Sequence, residues 1–193
     1  MVNLLELINK AESGDPEAQY QAAYHILNEI ALEENDKEII KRAVDYYRKA
    51  AMNGYSQGLA ALELGDLYYR GRYVVQDYRQ AVMWYRTSTR KLHPIGYYCL
   101  GRCFYSGNGV KQDYAKAFDS FLKGALTRYI NNYIMLGDMF KKGLFVERDH
   151  KFAAKLYQHV LDSEKELYEK NRIFSDAYGQ VCLRLGECFL HGN

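Results

Sequence analysis

Ser56 lies in Gly54-Tyr55-Ser56-Gln57-Gly58, which matches the G-x-S-x-G pattern of a nucleophile elbow. That elbow sets its serine on a sharp strand-to-helix turn beside an oxyanion hole. Here the preceding residues, R-A-V-D-Y-Y-R-K-A-A-M-N from Arg42, read as a helix, so Ser56 is expected in a turn between helices and without a catalytic role. Cys99 and Cys103, with His93 upstream, offer three metal-type ligands, whereas a structural zinc site uses four at characteristic spacings. The five histidines, His25, His93, His150, His159 and His191, show no H-E-x-x-H or related spacing. Gly107-Asn108-Gly109 shares with a phosphate loop only its glycines, since no strand precedes it and no Gly-Lys-Ser/Thr follows. Carboxylates fall at helix starts and on polar faces, and no cofactor fingerprint is present. The residues therefore predict no catalytic, cofactor-binding or metal-binding site and no enzyme.

The elements that carry these residues are expected to be helical. The 193 residues are 48% hydrophobic and 26% charged, ordinary values for a chain with a sizeable core. Two prolines and no apolar alternation argue against sheet. The 26 basic and 24 acidic residues are well mixed and leave a formal charge of +2, which gives no field to draw the chain onto nucleic acid or anionic lipid. No stretch approaches eighteen apolar residues, and the opening M-V-N-L-L-E-L-I-N-K has an acid inside its apolar run with no basic flank. Neither a signal peptide nor a membrane span is read. The cysteines form two pairs, Cys182 with Cys188 and, four residues apart, Cys99 with Cys103. On a helix that spacing separates Cβ atoms by about 5–6 Å, beyond the roughly 3.5–4.5 Å of a disulfide. Reduced thiols and a cytoplasmic location are the expectation.

Three stretches align without a gap: L-G-D-L-Y-Y-R-G-R-Y-V-V-Q-D-Y-R-Q-A-V-M-W-Y from Leu64, its counterpart from Leu100, and another from Leu136. The period is 36 residues, and it superposes Gly65 on Gly101 and Gly137, Gly71 on Gly107 and Gly143, and Asp77 on Asp113 and Asp149. Val74, Val110 and Val146 form another column, as do Ala81, Ala117 and Ala153, while aromatics recur at Tyr85, Phe121 and Tyr157. A period of this length signals a stacked array. Each unit reads as a first helix that ends at the second glycine and a second helix that the aspartate caps. The glycine inside each first helix costs about 1 kcal/mol relative to alanine. Close packing must offset that cost, and the alanine column is expected to face it.

The pattern L-G-x-x-[YF]-x-x-G-x-x-V-x-x-D-x-x-x-A-x-x-x-[YF] resembles the Sel-one-like repeat, a relative of the tetratricopeptide repeat. A-E-S-G-D-P-E-A-Q-Y-Q-A-A-Y-H-I-L from Ala11 and Y-G-Q-V-C-L-R-L-G-E-C-F-L-H-G-N from Tyr178 extend it to nearly the whole chain. The expected fold is an all-α, α/α solenoid of antiparallel hairpins over residues 1–193. It divides into a cap helix in 1–14, repeats over 15–55, 56–93 and 94–129, a fourth repeat with an extension over 130–174, and a final half repeat over 175–193. The family's second loop glycine is present only as Gly109, being Tyr73 and Phe145 elsewhere, so the loops need not share one backbone path. L-E-E-N-D-K-E from Leu32 lengthens the first connection. The extension S-E-K-E-L-Y-E-K-N-R-I-F-S-D from Ser163 is expected either to prolong a helix or to form a loop, in a solvated structural role.

The resemblance implies a binding module: a bacterial, cytoplasmic adaptor or scaffold that holds a peptide or protein partner on the concave wall built from the first helices. If the leucine–glycine–aromatic face is buried, the opposite face points into that groove. This selects Leu62, Glu63, Asp66, Tyr69 and Arg70, then Tyr98, Cys99, Arg102, Tyr105 and Ser106, then Ile134, Met135, Asp138, Lys141 and Lys142. Glu63, Asp66, Tyr69, Arg70, Tyr98, Arg102, Tyr105, Asp138 and Lys141 are the expected partner contacts. Two alternatives are a self-assembling structural module and a hydrolase acting on β-lactam-like ligands, an activity attributed to cysteine-rich members of the family. The last helix has an apolar face of Cys182, Leu185 and Phe189 that no second helix covers. Either the chain continues beyond Asn193 or this edge docks onto a partner or a second copy.

Overall fold

The computed structural model describes residues 4–30, 36–171 and 177–191, and every regular element among them is helical. In chain order these are α1 (Leu4–Glu12), α2 (Pro16–His25), α3 (Lys37–Met52), α4 (Leu59–Arg70) and α5 (Tyr78–Arg90), followed by α6 (Pro94–Ser106), α7 (Tyr114–Leu126), α8 (Ile130–Lys142), α9 (His150–Asn171) and α10 (Ala177–His191). Each helix packs on the next, and α10 also reaches back to α8. The chain is thus an α/α solenoid of the hairpins α2–α3, α4–α5, α6–α7 and α8–α9, with α1 ahead of them and α10 behind. None of the helices is long and apolar enough to cross a membrane among the described residues.

The hairpin ends are built alike. The first helices stop at Gly71, Gly107 and Gly143, all left-handed. The loop closes when the Asp77, Asp113 and Asp149 amides donate to the Tyr68, Phe104 and Phe140 carbonyls at 3.0, 2.9 and 3.0 Å. Each aspartate then caps the second helix: Asp77 accepts from the Arg79 and Gln80 amides, Asp113 from Lys116 and Asp149 from Phe152. Such a cap stabilises by about 1 kcal/mol.

The loops keep the left-handed conformation at the position of the second glycine even where it is replaced. Tyr73, Gly109 and Phe145 have φ of 64°, 73° and 68°. A left-handed residue with a side chain costs roughly 1–2 kcal/mol, and tertiary contacts offset it. The Tyr73 hydroxyl donates to the Leu27 carbonyl at 2.6 Å, and the Phe145 ring packs against Phe118 at 5.6 Å. At Gly109 a Cβ would stand 2.2 Å from the Tyr78 carbonyl oxygen, so this loop tolerates only glycine.

A correction concerns the glycines inside the first helices. A Cβ on Gly65, Gly101 or Gly137 would lie 2.4, 2.5 and 2.5 Å from the rings of Tyr85, Phe121 and Tyr157. The aromatic of the second helix, not its alanine, therefore fills the notch, because only a flat ring is long enough to reach across the hairpin. All three rings are fully buried or nearly so. Leu62 and Ile134, expected on the groove face, are buried as well and belong to the core.

The extension after the fourth repeat prolongs α9 through Asn171, and the rest of it, 172–176, lies outside the described residues, as do residues 32–35 of the lengthened first connection. Its solvated role is only partial, since Glu164 is fully buried. On α10 the buried residues are Val181 and Cys188, with Leu185 half-buried, whereas Cys182 is exposed and Phe189 is 67% exposed. The helix is rotated relative to the expected face, which leaves Leu183, Phe189 and Leu190 uncovered.

Candidate partner-binding groove

The residue after each helix glycine points away from the hairpin, onto the wall formed by α4, α6 and α8. These residues are Asp66, Arg102 and Asp138. The ring in the glycine notch reaches this wall with its far end: the Tyr85 hydroxyl donates to Asp66 Oδ1 at 2.7 Å, and Tyr157 does the same to Asp138 at 2.7 Å. Burial and the neighbouring carboxylate push both phenols up, so each keeps its proton and remains a donor. In the middle repeat the ring is Phe121, with no hydroxyl, and the wall residue is arginine instead of an acid.

A cavity of about 370 Å³ lies between α4 and α6 beside this arginine. Asp66, Tyr69 and Arg70 line it from α4, Tyr98, Cys99 and Arg102 from α6, and Tyr85, Ile95 and Tyr129 complete its walls. The Arg102 guanidinium carbon sits 5.9 Å from the Tyr69 ring centre and 5.6 Å from that of Tyr98, within cation–π range of both. The rings are themselves braced, Tyr69 edge-on to Tyr78 at 5.1 Å and Tyr98 edge-on to Tyr129 at 5.7 Å. Asn108, from the Gly-Asn-Gly turn, donates to the Tyr69 hydroxyl at 2.9 Å. Burial, reinforced by the Asp66 charge, pushes the Cys99 thiol up to about 12, and burial does the same for Cys103. Both remain neutral thiols at ordinary pH, unsuited to nucleophilic attack.

Asp66 and Arg70 also border a smaller neighbouring depression of about 240 Å³ that holds Glu63. Burial and the Asp66 charge raise the Glu63 carboxyl pKa, with Arg70 opposing them. Five of the nine expected contacts, Asp66, Tyr69, Arg70, Tyr98 and Arg102, therefore share one cavity, and Glu63 adjoins it. Tyr105 stands beyond it, edge-on to Tyr114 at 5.5 Å, with Lys142 donating to its hydroxyl at 3.0 Å. Asp138 and Lys141 are not in the cavity. Arg184 of α10 donates to Asp138 at 3.0 Å, and Lys141 pairs with Glu187 at 2.6 Å.

The sequence reading missed Tyr85, Ile95 and Tyr129, which lie on the second helix or ahead of the segments that one helical face can project. Tyr85 carried a signal, because tyrosine accompanies an acid and phenylalanine an arginine nineteen residues apart. Ser56 is exposed in a one-turn 3-10 helix, Tyr55–Gly58, between α3 and α4, with φ of 46°. The strand of an elbow is missing there. Among the described residues no group of three or more His, Cys, Asp or Glu is placed to hold a metal, and all four cysteines are free.

The fold is shared with a Sel1 repeat protein from Oxalobacter formigenes, at 21% identity and a TM-score of 0.69, over 98% of this chain and 84% of that one. It is also shared with Helicobacter pylori cysteine rich protein B, at 21% identity and a TM-score of 0.53, over 67% of this chain and 92% of that one. No curated protein matches the sequence. The Sel1 repeat family model matches residues 16–55, 58–91, 94–125, 133–158 and 180–193. Those five stretches take up most of the chain, which belongs to the Sel1 repeat family.

Proposed function

We propose that this protein is a non-enzymatic adaptor that holds a peptide or protein segment on the wall formed by its first helices, as a cytoplasmic component of a bacterial cell. Sel1 repeats commonly mediate contacts between proteins. The observation that carries the reading for this chain is the cavity between α4 and α6, where half-buried tyrosines, braced by other rings and backed by the core, stand beside an exposed arginine. Tyrosine and arginine in preformed pockets are the usual anchors of protein interfaces. No catalytic constellation competes with this use, since Ser56 sits in a surface turn and the cavity's thiol is neutral.

Photocrosslinking tests it. A benzoyl-phenylalanine at Tyr105, on the groove wall, should trap a partner in cells, while the same probe at Leu122, exposed on α7, should trap little. Equal trapping at both positions, or trapping at Leu122 alone, would overturn the groove as the binding surface.

A further inference from the structure

We infer that the cavity between α4 and α6 takes a carboxylate of the partner, held by the Arg102 guanidinium, with an adjoining apolar group between Tyr98 and Ile95. This inference rests on the binding-module reading above and adds the chemistry of the ligand.

Three acids on the wall are answered from within the chain, Asp66 by the Tyr85 hydroxyl, Asp138 by Tyr157 and Arg184, and Glu187 by Lys141, and Glu63 beside them feels the charge of Arg70. Lys141 and Arg184 are taken up in those pairs, whereas Arg102 is not. Arg102 makes no ion pair and no hydrogen bond among the described residues; it only lies over two tyrosine rings. Lys142 is bonded to the Tyr105 hydroxyl, and Arg70, exposed beside the cavity, borders the depression that holds Glu63.

A guanidinium stacked by its face on aromatic rings keeps its edge N–H donors free, and that edge matches a carboxylate in a two-pronged hydrogen bond. The rings also fix the side chain beforehand, so little freedom is lost on binding. A space of about 370 Å³ has room for a carboxylate and an adjoining apolar group, and tyrosines and Ile95 make up much of its walls. Asp66 limits the ligand further. Its charge opposes a second acid beside it in the cavity and favours an N–H donor there, as a peptide backbone supplies.

The carboxylate belongs either to an aspartate or glutamate side chain or to the end of a chain. Fluorescein-labelled decapeptide libraries, made once as free acids and once as C-terminal amides, distinguish the two. Binding is measured for wild type, Arg102→Gln, Arg102→Lys and the outer-surface control Arg90→Gln. Wild type should enrich aspartate or glutamate at one position in both libraries, or prefer the free acids. Arg102→Gln should weaken the enriched peptides at least about tenfold, since a charged hydrogen bond is lost. Arg102→Lys should recover only part of this, and Arg90→Gln should change nothing.

Peptides enriched without an acid and without a preference for the free terminus would overturn the inference and leave the binding module standing. So would binding that Arg102→Gln, shown folded by circular dichroism, leaves intact. If neither library yields a ligand, this inference and the peptide-binding reading fall together.

Discussion

Gly101→Ala and Gly186→Ala should shift stability in opposite directions, although both place a methyl at the same position of the repeat. In a helix interior alanine is favoured over glycine by about 1 kcal/mol. At Gly101 that gain meets a full notch: the new Cβ would lie 2.5, 2.7 and 3.0 Å from three carbons of the Phe121 ring, which is completely buried. Carbon atoms prefer about 3.5–4.0 Å, so the helices must separate by most of an ångström, and overpacking of this kind costs about 1–3 kcal/mol. With three ring carbons in the way the upper end applies, and the net loss is about 2 kcal/mol. At Gly186 no described atom lies within 4 Å of the added Cβ, so the propensity gain stands alone. For a chain of this size 1 kcal/mol corresponds to roughly 2–4 °C in Tm. Gly101→Ala should lower the melting temperature by about 4–8 °C and Gly186→Ala raise it by about 2–4 °C, read by circular dichroism at 222 nm. Amide exchange should accelerate in α6 and α7 for the first variant only. A stabilised Gly101→Ala protein would refute the account of the notch.

Glu63→Gln tests the raised carboxyl. Because its folded pKa lies above the unfolded value, the folded chain binds more protons between the two, and stability falls as pH rises through that window. The glutamine variant should therefore be the more stable protein at pH 7, with the difference vanishing below the unfolded pKa; an unchanged difference in acid would refute the assignment. Arg184→Ala leaves the buried Asp138 with only the Tyr157 hydroxyl and should cost about 1.5–3 kcal/mol, with faster amide exchange confined to α10 and its contacts. Ser56→Ala should stay within about 0.5 kcal/mol of wild type; turnover of a fluorogenic ester that this variant loses would instead make Ser56 a nucleophile.

The 36-residue period made the hairpins legible because it repeats three signals that act locally: a glycine that ends a helix, an aspartate that starts one, and an apolar column between them. What fills the helix glycine was not legible from period alone. Alanine and the aromatic lie four residues apart on one face, and only their reach across the hairpin decides which enters the notch. The half of the groove between α4 and α6 followed from projecting one helical face, whereas Ile95 and Tyr129 flank the cavity from just inside and just before the next first helices. The closing of Asp138 and Lys141 by α10 was hidden for a different reason. The extension moves the last helix glycine 49 residues from Gly137 instead of 36, so Arg184 and Glu187 fall out of the register that the other repeats keep.

The pairing of Asp66 with Tyr85 and of Arg102 with Phe121 implies that the groove's charge is written in two residues per repeat, and exchanging both should rewrite it. Arg102→Asp alone places an acid where Phe121 can donate nothing, and Phe121→Tyr alone brings toward the guanidinium a hydroxyl that can accept from it but whose own buried proton finds no acceptor there. Each single change should destabilise. Together they recreate the acid–phenol pair that Asp66 and Asp138 make at 2.7 Å, so the double variant should be more stable than the sum of the single effects by about 0.5–3 kcal/mol, the range for residues in direct contact. The cavity would then carry two acids and, on its α6 side, no cation. Peptides bearing a carboxylate should be rejected and those bearing lysine or arginine accepted. A double variant whose effects merely add, or one that keeps the ligand preference of the wild type, would show that the two positions are independent and that the charge of the wall does not choose the partner.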